Sequence, residues 1–133
     1  MSCSVPRMDS ATTRRLASDY IDRLEQRDWD GLAALLADDL VYEMPQTRER
    51  VRGSSAYVRF NAEYPGDWHL SIRRVVADEG MAAVWLDVRM GDQHQDACIW
   101  IDVSEHGVIE RITDYWPDSY EPPPGRAHLV ERW

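Results

Sequence analysis

Cysteine is scarce, with only Cys3 and Cys98 in 133 residues. Two thiols build no disulfide framework, and Cys98 in an apolar stretch reads as a small buried hydrophobe. No paired-cysteine motif and no HExxH is present, which excludes structural and protease-type zinc. No Gly-rich phosphate loop occurs, so neither a nucleotide role nor any cofactor is expected. Apolar runs are short: none approaches the ~18 residues of a membrane span. The opening MSCSVPRMDS has no apolar core of a signal peptide. The expectation is a cytoplasmic protein with no membrane partner. Positive charge is also in deficit, with 15 basic against 24 acidic residues and a net charge of −9. That argues against nucleic acid as a partner, because phosphate backbones repel such a chain. The densest basic cluster, Arg48 to Arg52, is interrupted by Glu49. Phenylalanine occurs once, beside six Trp and six Tyr. Trp and Tyr join apolar bulk to a polar handle, which suits pocket walls and interfaces as well as ordinary cores.

The length fits one domain. Residues 1–11 read as a flexible arm. Thr12 or Thr13 can cap a first helix, in which Leu16, Tyr20 and Leu24 recur at four-residue spacing beside Ala17 and Ile21. Asp28 or Asp30 can cap a second helix carrying Trp29, Leu32, Leu35 and Leu36. Asp38-Asp39 should stop it, since acids oppose the dipole at a helix C-terminus. Leu40 to Met44 reads as a short strand closed by Pro45, and Gln46 to Arg52 as a polar loop. Ser54 or Ser55 opens a third helix, which Pro65-Gly66-Asp67 ends. The period then changes to two. Strands follow at Leu70 to Val76, Ala82 to Met90, Ala97 to Val103 and Val108 to Trp116. Short turns between them require an antiparallel meander, and helices grouped on one face of it make an α+β domain. The end, EPPPGRAHLVERW, is a proline-stiffened tail (119–133). Its Leu129, Val130 and Trp133 are too apolar to float freely and should pack on the body or on a partner.

The strings YIDRLEQRDWDGLAALLADDLVYEMP (20–45), RGSSAYVRF (52–60) and GVIERITDYW (107–116) resemble the SnoaL-like branch of the nuclear transport factor 2-like superfamily. The resemblance covers residues 12–118. It implies a cone-shaped α+β barrel, with a strongly curved, mainly antiparallel sheet, three N-terminal helices and an internal pocket. It also implies a homodimer, and activities of isomerase, polyketide cyclase, dehydratase or epoxide hydrolase type alongside non-catalytic members. Tyr20 resembles the helix-one tyrosine that serves as oxyanion donor in ketosteroid isomerases. Met44 and Ile99 stand where those enzymes keep acidic groups. Asp114 in TDYW resembles the acid on the last strand of an epoxide hydrolase. Asp87 and Tyr42 match further positions there, whereas Trp85 replaces an arginine.

Four residues carry the chemical reading. Asp114 shares a strand face with Ile112 and Trp116 by period two. A carboxylate among apolar neighbours is poorly solvated and suited to proton transfer near neutral pH; the alternative is a structural acid at a strand end. Asp87 shares its face with Trp85 and Arg89. It is either a second pocket carboxylate beside Asp114 or half of a solvated pair with Arg89. His69 could serve as acid or base, or lie exposed at a loop edge. Tyr20 could donate to a substrate oxygen or simply fill the core. Tyr42, Tyr57, Phe60, Trp85, Trp100 and Trp116 would supply apolar walls. These residues support an acid–base enzyme acting on a hydrophobic small molecule. A non-catalytic ligand-binding or protein-interaction domain is the competing reading.

Overall fold

The computed structural model describes residues 8–133, so Cys3 and most of the expected arm lie outside the described residues. Helix α1 spans Ser10–Glu25. Its cap is Asp9, whose carboxylate accepts from the Thr12 amide at 2.7 Å, so capping does not fall to Thr12 or Thr13. The Thr13 hydroxyl is used otherwise. It donates to Asp9 O and accepts from the Gly80 amide, tying the helix to a turn of the sheet. Thr13, Ala17, Tyr20, Ile21 and Leu24 form the buried stripe. Helix α2, Trp29–Ala34, is capped by Asp28 and buries Leu32. It ends before Asp38-Asp39, because the chain turns into a strand at Leu36. There the Ile109 amide donates to Leu35 O at 2.8 Å, and sheet pairing overrides the helical spacing of the leucines. Helix α3 spans Ser54–Ala62. Gly53 leads into it at φ +92°, a left-handed conformation that disfavours any side chain.

Six strands follow chain order: β1 Leu36–Met44, β2 Glu49–Arg52, β3 Trp68–Asp78, β4 Met81–Met90, β5 Gln93–Val103 and β6 Ile109–Tyr115. Part of the segment expected as a polar loop is therefore β2. Val51 pairs with Tyr42 and Arg50 with Glu43, and a short turn joins the two strands. In space the order is β2-β1-β6-β5-β4-β3. All neighbours are antiparallel except β1 and β6, which run parallel. The fold is thus α+β, with a mixed sheet and three helices.

The expected cone-shaped, strongly curved barrel is corrected. The sheet is open, with β2 and β3 as its two ends. Closure requires the last strand to pair with the first. Here the outer edge of β3 is already engaged by side chains of α1 and the turn after it. Arg14 donates to Val75 O at 2.9 Å, Glu25 accepts from the Leu70 amide at 3.1 Å, and Arg27 donates to Trp68 O. The β3–β4–β5 ladder runs in continuous register apart from one shift, between Ile72 and Arg74.

One sheet face is buried. Ala82, Val84 and Leu86 of β4 meet Ala97, Ile99 and Ile101 of β5, Ile112 of β6, and Leu40 and Tyr42 of β1. Helix α1 lies over β3 and β4, while α3 lies beside β1. No helix of the described residues is long and apolar enough to cross a membrane. After β6 the chain continues to Trp133 with a single 3-10 turn at Ala127–Leu129.

Candidate active site

Side chains of α1, α3 and the inner face of the sheet border a common space. A cavity of about 820 Å³ occupies that space. Tyr20 and Leu24 line it from α1, and Tyr57, Phe60 and Asn61 from α3. Leu86 and Val88 of β4 and Ala97 and Ile99 of β5 form the sheet side. Asp114 and Trp116 reach it from β6 and the residue beyond it. The walls are therefore mostly aromatic and aliphatic, with very few ionisable groups in the interior.

Asp114 is the carboxylate of that interior. Its position follows from register: Asp114 pairs with Ile99, whose side chain is buried on the inner face. Oδ2 accepts from the Tyr42 hydroxyl at 2.5 Å. Oδ1 is buried and has no hydrogen-bond partner. Burial raises the Asp114 pKa above the ordinary carboxylate value, and the Tyr42 hydrogen bond offsets part of that rise. An orphan acceptor in a buried position is costly, so it marks a place where a ligand's donor can enter.

Three tyrosines cluster around this acid. The rings of Tyr42 and Tyr57 have centroids 4.8 Å apart, and Phe60 lies 5.7 Å from Tyr42. The hydroxyls of Tyr20 and Tyr57 are hydrogen-bonded to each other. Two hydroxyls carry two protons and their mutual bond uses one, which leaves one proton for another acceptor. Burial raises the pKa of all three phenols, so they remain neutral donors. The site therefore combines one buried carboxyl with a hydrogen-bonded tyrosine pair.

The other expected site residues are placed elsewhere. Even-numbered residues of β4 and odd-numbered residues of β5 face inward, so Asp87, Trp85 and Trp100 project from the opposite face. Asp87 meets His94 Nδ1 at 3.0 Å and Arg73 at 3.5 Å, and makes no pair with Arg89 or Asp114. The Trp85 indole donates to Asp96, and Trp85 and Trp100 are both half-exposed rather than pocket walls. Cys98 is half-buried on that outer face, between Trp85 and Tyr115, instead of in the core. His69 stands at the start of β3, bracketed by Glu25 at 3.2 Å and Asp67 at 3.0 Å. His69 and Asp87 both line a separate hollow of about 150 Å³. Tyr20, Tyr42, Tyr57, Phe60 and Trp116 do line the main cavity with Asp114.

Sequence reasoning missed part of this lining. Trp68 and Met44 belong to the walls, and Glu49, Gln95, Asp96 and Asp118 to the mouth. The mouth forms because the pairing of β5 with β6 ends at Cys98 and Tyr115, while β5 runs on to Gln93. Pro117 crosses the gap, and its carbonyl oxygen accepts from the Gln95 side-chain Nε2 at 3.2 Å. Trp68 was accessible from its place at the strand start after Pro65-Gly66-Asp67, but the mouth depends on where two strands part company. Among the described residues no group of three His, Cys, Asp or Glu side chains is arranged to hold a metal ion.

A family model described as SnoaL-like domain matches residues 17–115. A candidate ketosteroid isomerase from Kribbella flavida is similar at 49% identity, covering 95% of this chain and 93% of its own, with a TM-score of 0.91. An NTF-2-like protein from Burkholderia xenovorans is 18% identical over 92% of this chain and 96% of its own, with a TM-score of 0.77. An LEH-like epoxide hydrolase from M. tuberculosis is 24% identical over 81% of this chain and 84% of its own, with a TM-score of 0.67. The last two likenesses concern the fold alone. No curated protein matches the chain.

Proposed function

The chain belongs to the SnoaL-like domain family, and we propose that it is an acid–base enzyme acting on a hydrophobic carbonyl compound bound in the central cavity. The observation that carries this reading is the Asp114 carboxyl. One of its oxygens is fixed by Tyr42 and the other is buried without a partner. Such a group can take a proton from carbon beside a carbonyl and return it to another carbon, so that the isomerisation consumes no proton overall. Negative charge then develops on the carbonyl oxygen. The spare proton of the Tyr20–Tyr57 pair is a donor for that oxygen within the same cavity. Met44 and Ile99, which lack acidic groups, both line the cavity, and Ile99 pairs directly with Asp114. The carboxyl is therefore one strand away from the position that the isomerase resemblance implied.

A ketosteroid is the first substrate to test, because the 49% identical relative is named for that class. Asp114→Asn should reduce turnover by about 10²-fold or more while the circular dichroism spectrum stays unchanged. Unchanged turnover would exclude Asp114 as the proton carrier. Tight ligand binding with no product from a wide carbonyl panel would favour a non-catalytic binding domain instead.

We also propose that the protein acts as a homodimer paired through its outer sheet face. Trp85, Trp100 and Tyr115 stand half-exposed there, on adjoining strands. Ion networks of Arg73, Asp87, His94 and Asp96 on one side, and Glu43, Arg50 and Arg111 on the other, flank them. An apolar centre with a polar rim is the anatomy of a protein interface.

A further inference from the structure

We propose that the substrate is an elongated neutral molecule whose apolar tail runs out of the cavity over a lip formed by Tyr64 and Met90, so that these two residues select for length. The inference rests on the reading of the central cavity as the site of an acid–base reaction at Asp114. It deepens that reading by naming what the rest of the substrate must be.

Two apolar stripes lead from the buried carboxyl to the mouth. Tyr57 and Phe60 of α3 and Tyr64 just past its end recur at spacings of three and four, which is one helical face. Leu86, Val88 and Met90 alternate along β4, which is one strand face. All six line the cavity, and both stripes become more exposed in the same direction. Tyr57 and Leu86 are each 1% exposed, Phe60 and Val88 are half-buried, and Tyr64 and Met90 reach 48% and 38%. The aromatic stripe is continuous with the site. The rings of Tyr64 and Phe60 meet edge to face at 5.8 Å, Phe60 lies 5.7 Å from Tyr42, and the Tyr42 hydroxyl holds Asp114.

The stripes also end side by side. Tyr64 precedes Pro65-Gly66, and Met90 is the last residue of β4. The Met90 thioether is seated on Gly66, where any side chain would collide with its sulfur. The bare glycine thus lets Met90 stand beside the loop that carries Tyr64. A short substrate would fill the space between Tyr57 and Leu86 and leave this lip in water. A longer one covers it, and a flexible thioether adapts to tails of different shape. Neither stripe carries a charge, so the tail that follows them is uncharged too.

The test is isothermal titration calorimetry with 4-alkylphenols, from 4-methylphenol to 4-octylphenol, at pH 7. All are neutral there, and their hydroxyl supplies the donor that Asp114 Oδ1 lacks. Wild-type affinity should rise about fourfold per methylene across the series, the worth of one buried CH₂. Tyr64→Ser/Met90→Ser should keep wild-type circular dichroism and bind 4-methylphenol normally, but bind 4-octylphenol at least tenfold more weakly. Tyr64→Phe/Met90→Leu, which keeps the lip apolar, should retain the wild-type increments. A wild type that binds no member would overturn the cavity reading together with the lip. Equal affinity of the wild type and the serine variant for 4-octylphenol would overturn the lip alone. Equal weakening at both ends of the series would make Tyr64 and Met90 structural, and would overturn length selection as well. Turnover of Asp114→Asn reports separately on the proton carrier.

Discussion

Asp114 shows how far a single residue can be read from its neighbours in sequence. Period two placed Ile112, Asp114 and Trp116 on one face, and all three do face the interior side of β6. The same rule placed Asp87 with Trp85 and Arg89, but it could not say which face is inner. That choice depends on which residues the helices cover, a long-range fact that strand spacing does not contain. The environment of Asp114 makes its protonation testable. The unfolded chain titrates this acid at the ordinary value, and burial raises it in the folded protein. Between the two values the folded state binds more protons, so stability should fall as pH rises through that window. Asp114→Asn should remove this slope, measurable as the pH dependence of Tm. If Asp114 is the base, the acid limb of kcat/KM should lie above the ordinary carboxylate range, because activity needs the ionised form. Tyr42→Phe deletes the one hydrogen bond that lowers this pKa, so the acid limb should move to still higher pH. The variant should also lose about 1.5–3 kcal/mol of stability where Asp114 is ionised, with a smaller loss in acid. An acid limb that does not move in Tyr42→Phe would show that this hydrogen bond does not tune the catalytic group.

At the scale of elements, local patterns were informative wherever neighbours in sequence are also neighbours in space. The meander of β3, β4, β5 and β6 belongs to that class, and so do the stripe of α1 and the stop at Pro65-Gly66-Asp67. The leucines from Leu32 to Leu36 misled, because one spacing serves a helix end and a strand start. The parallel pairing of Leu36 with Ile109, more than seventy residues away, settled the matter. Barrel closure was likewise illegible, since it depends on what meets the free edge of β3. Glu25 has a measurable part in that edge. It accepts from the Leu70 amide and contacts His69, which leaves less of the strand open for pairing with another chain. Glu25→Ala should cost about 1 kcal/mol, below the roughly 1.5–3 kcal/mol of a hydrogen bond to a charged group because the side chain is one-third exposed. Faster amide exchange at Leu70, with Val84 and Ile101 unchanged, would locate the loss at the edge. Uniformly faster exchange would instead mean that Glu25 supports the whole domain.

At the scale of the whole molecule, charge decides which ligands the cavity can admit. The chain carries −9, and the mouth adds Glu49 and Asp118 around an interior whose carboxylate is Asp114, while Asp96 beside them is paired with Arg73. A ligand must therefore cross a negative potential before it meets the apolar walls. Neutral molecules cross it without penalty, whereas carboxylates are repelled at the mouth and again near Asp114. Two costs act on an anion, and they can be separated. Stripping water from a carboxylate does not depend on salt, but repulsion by exposed charges falls as the Debye length shrinks from about 30 Å at 0.01 M to about 3 Å at 1 M ionic strength. Measuring 2-naphthol against 2-naphthoate across a salt series separates the two costs, since the compounds share a ring system and differ in charge at neutral pH. Trp68 and Trp116 line the cavity and provide a fluorescence signal for binding. The neutral compound should bind about tenfold or more tightly at low salt, equivalent to ~1.4 kcal/mol. Raising the salt should narrow the gap by strengthening naphthoate binding. In Glu49→Gln/Asp118→Asn the gap should be smaller at low salt and respond less to salt. A gap independent of salt would assign the discrimination to desolvation inside the cavity, and the acidic mouth would then have no part in choosing the ligand.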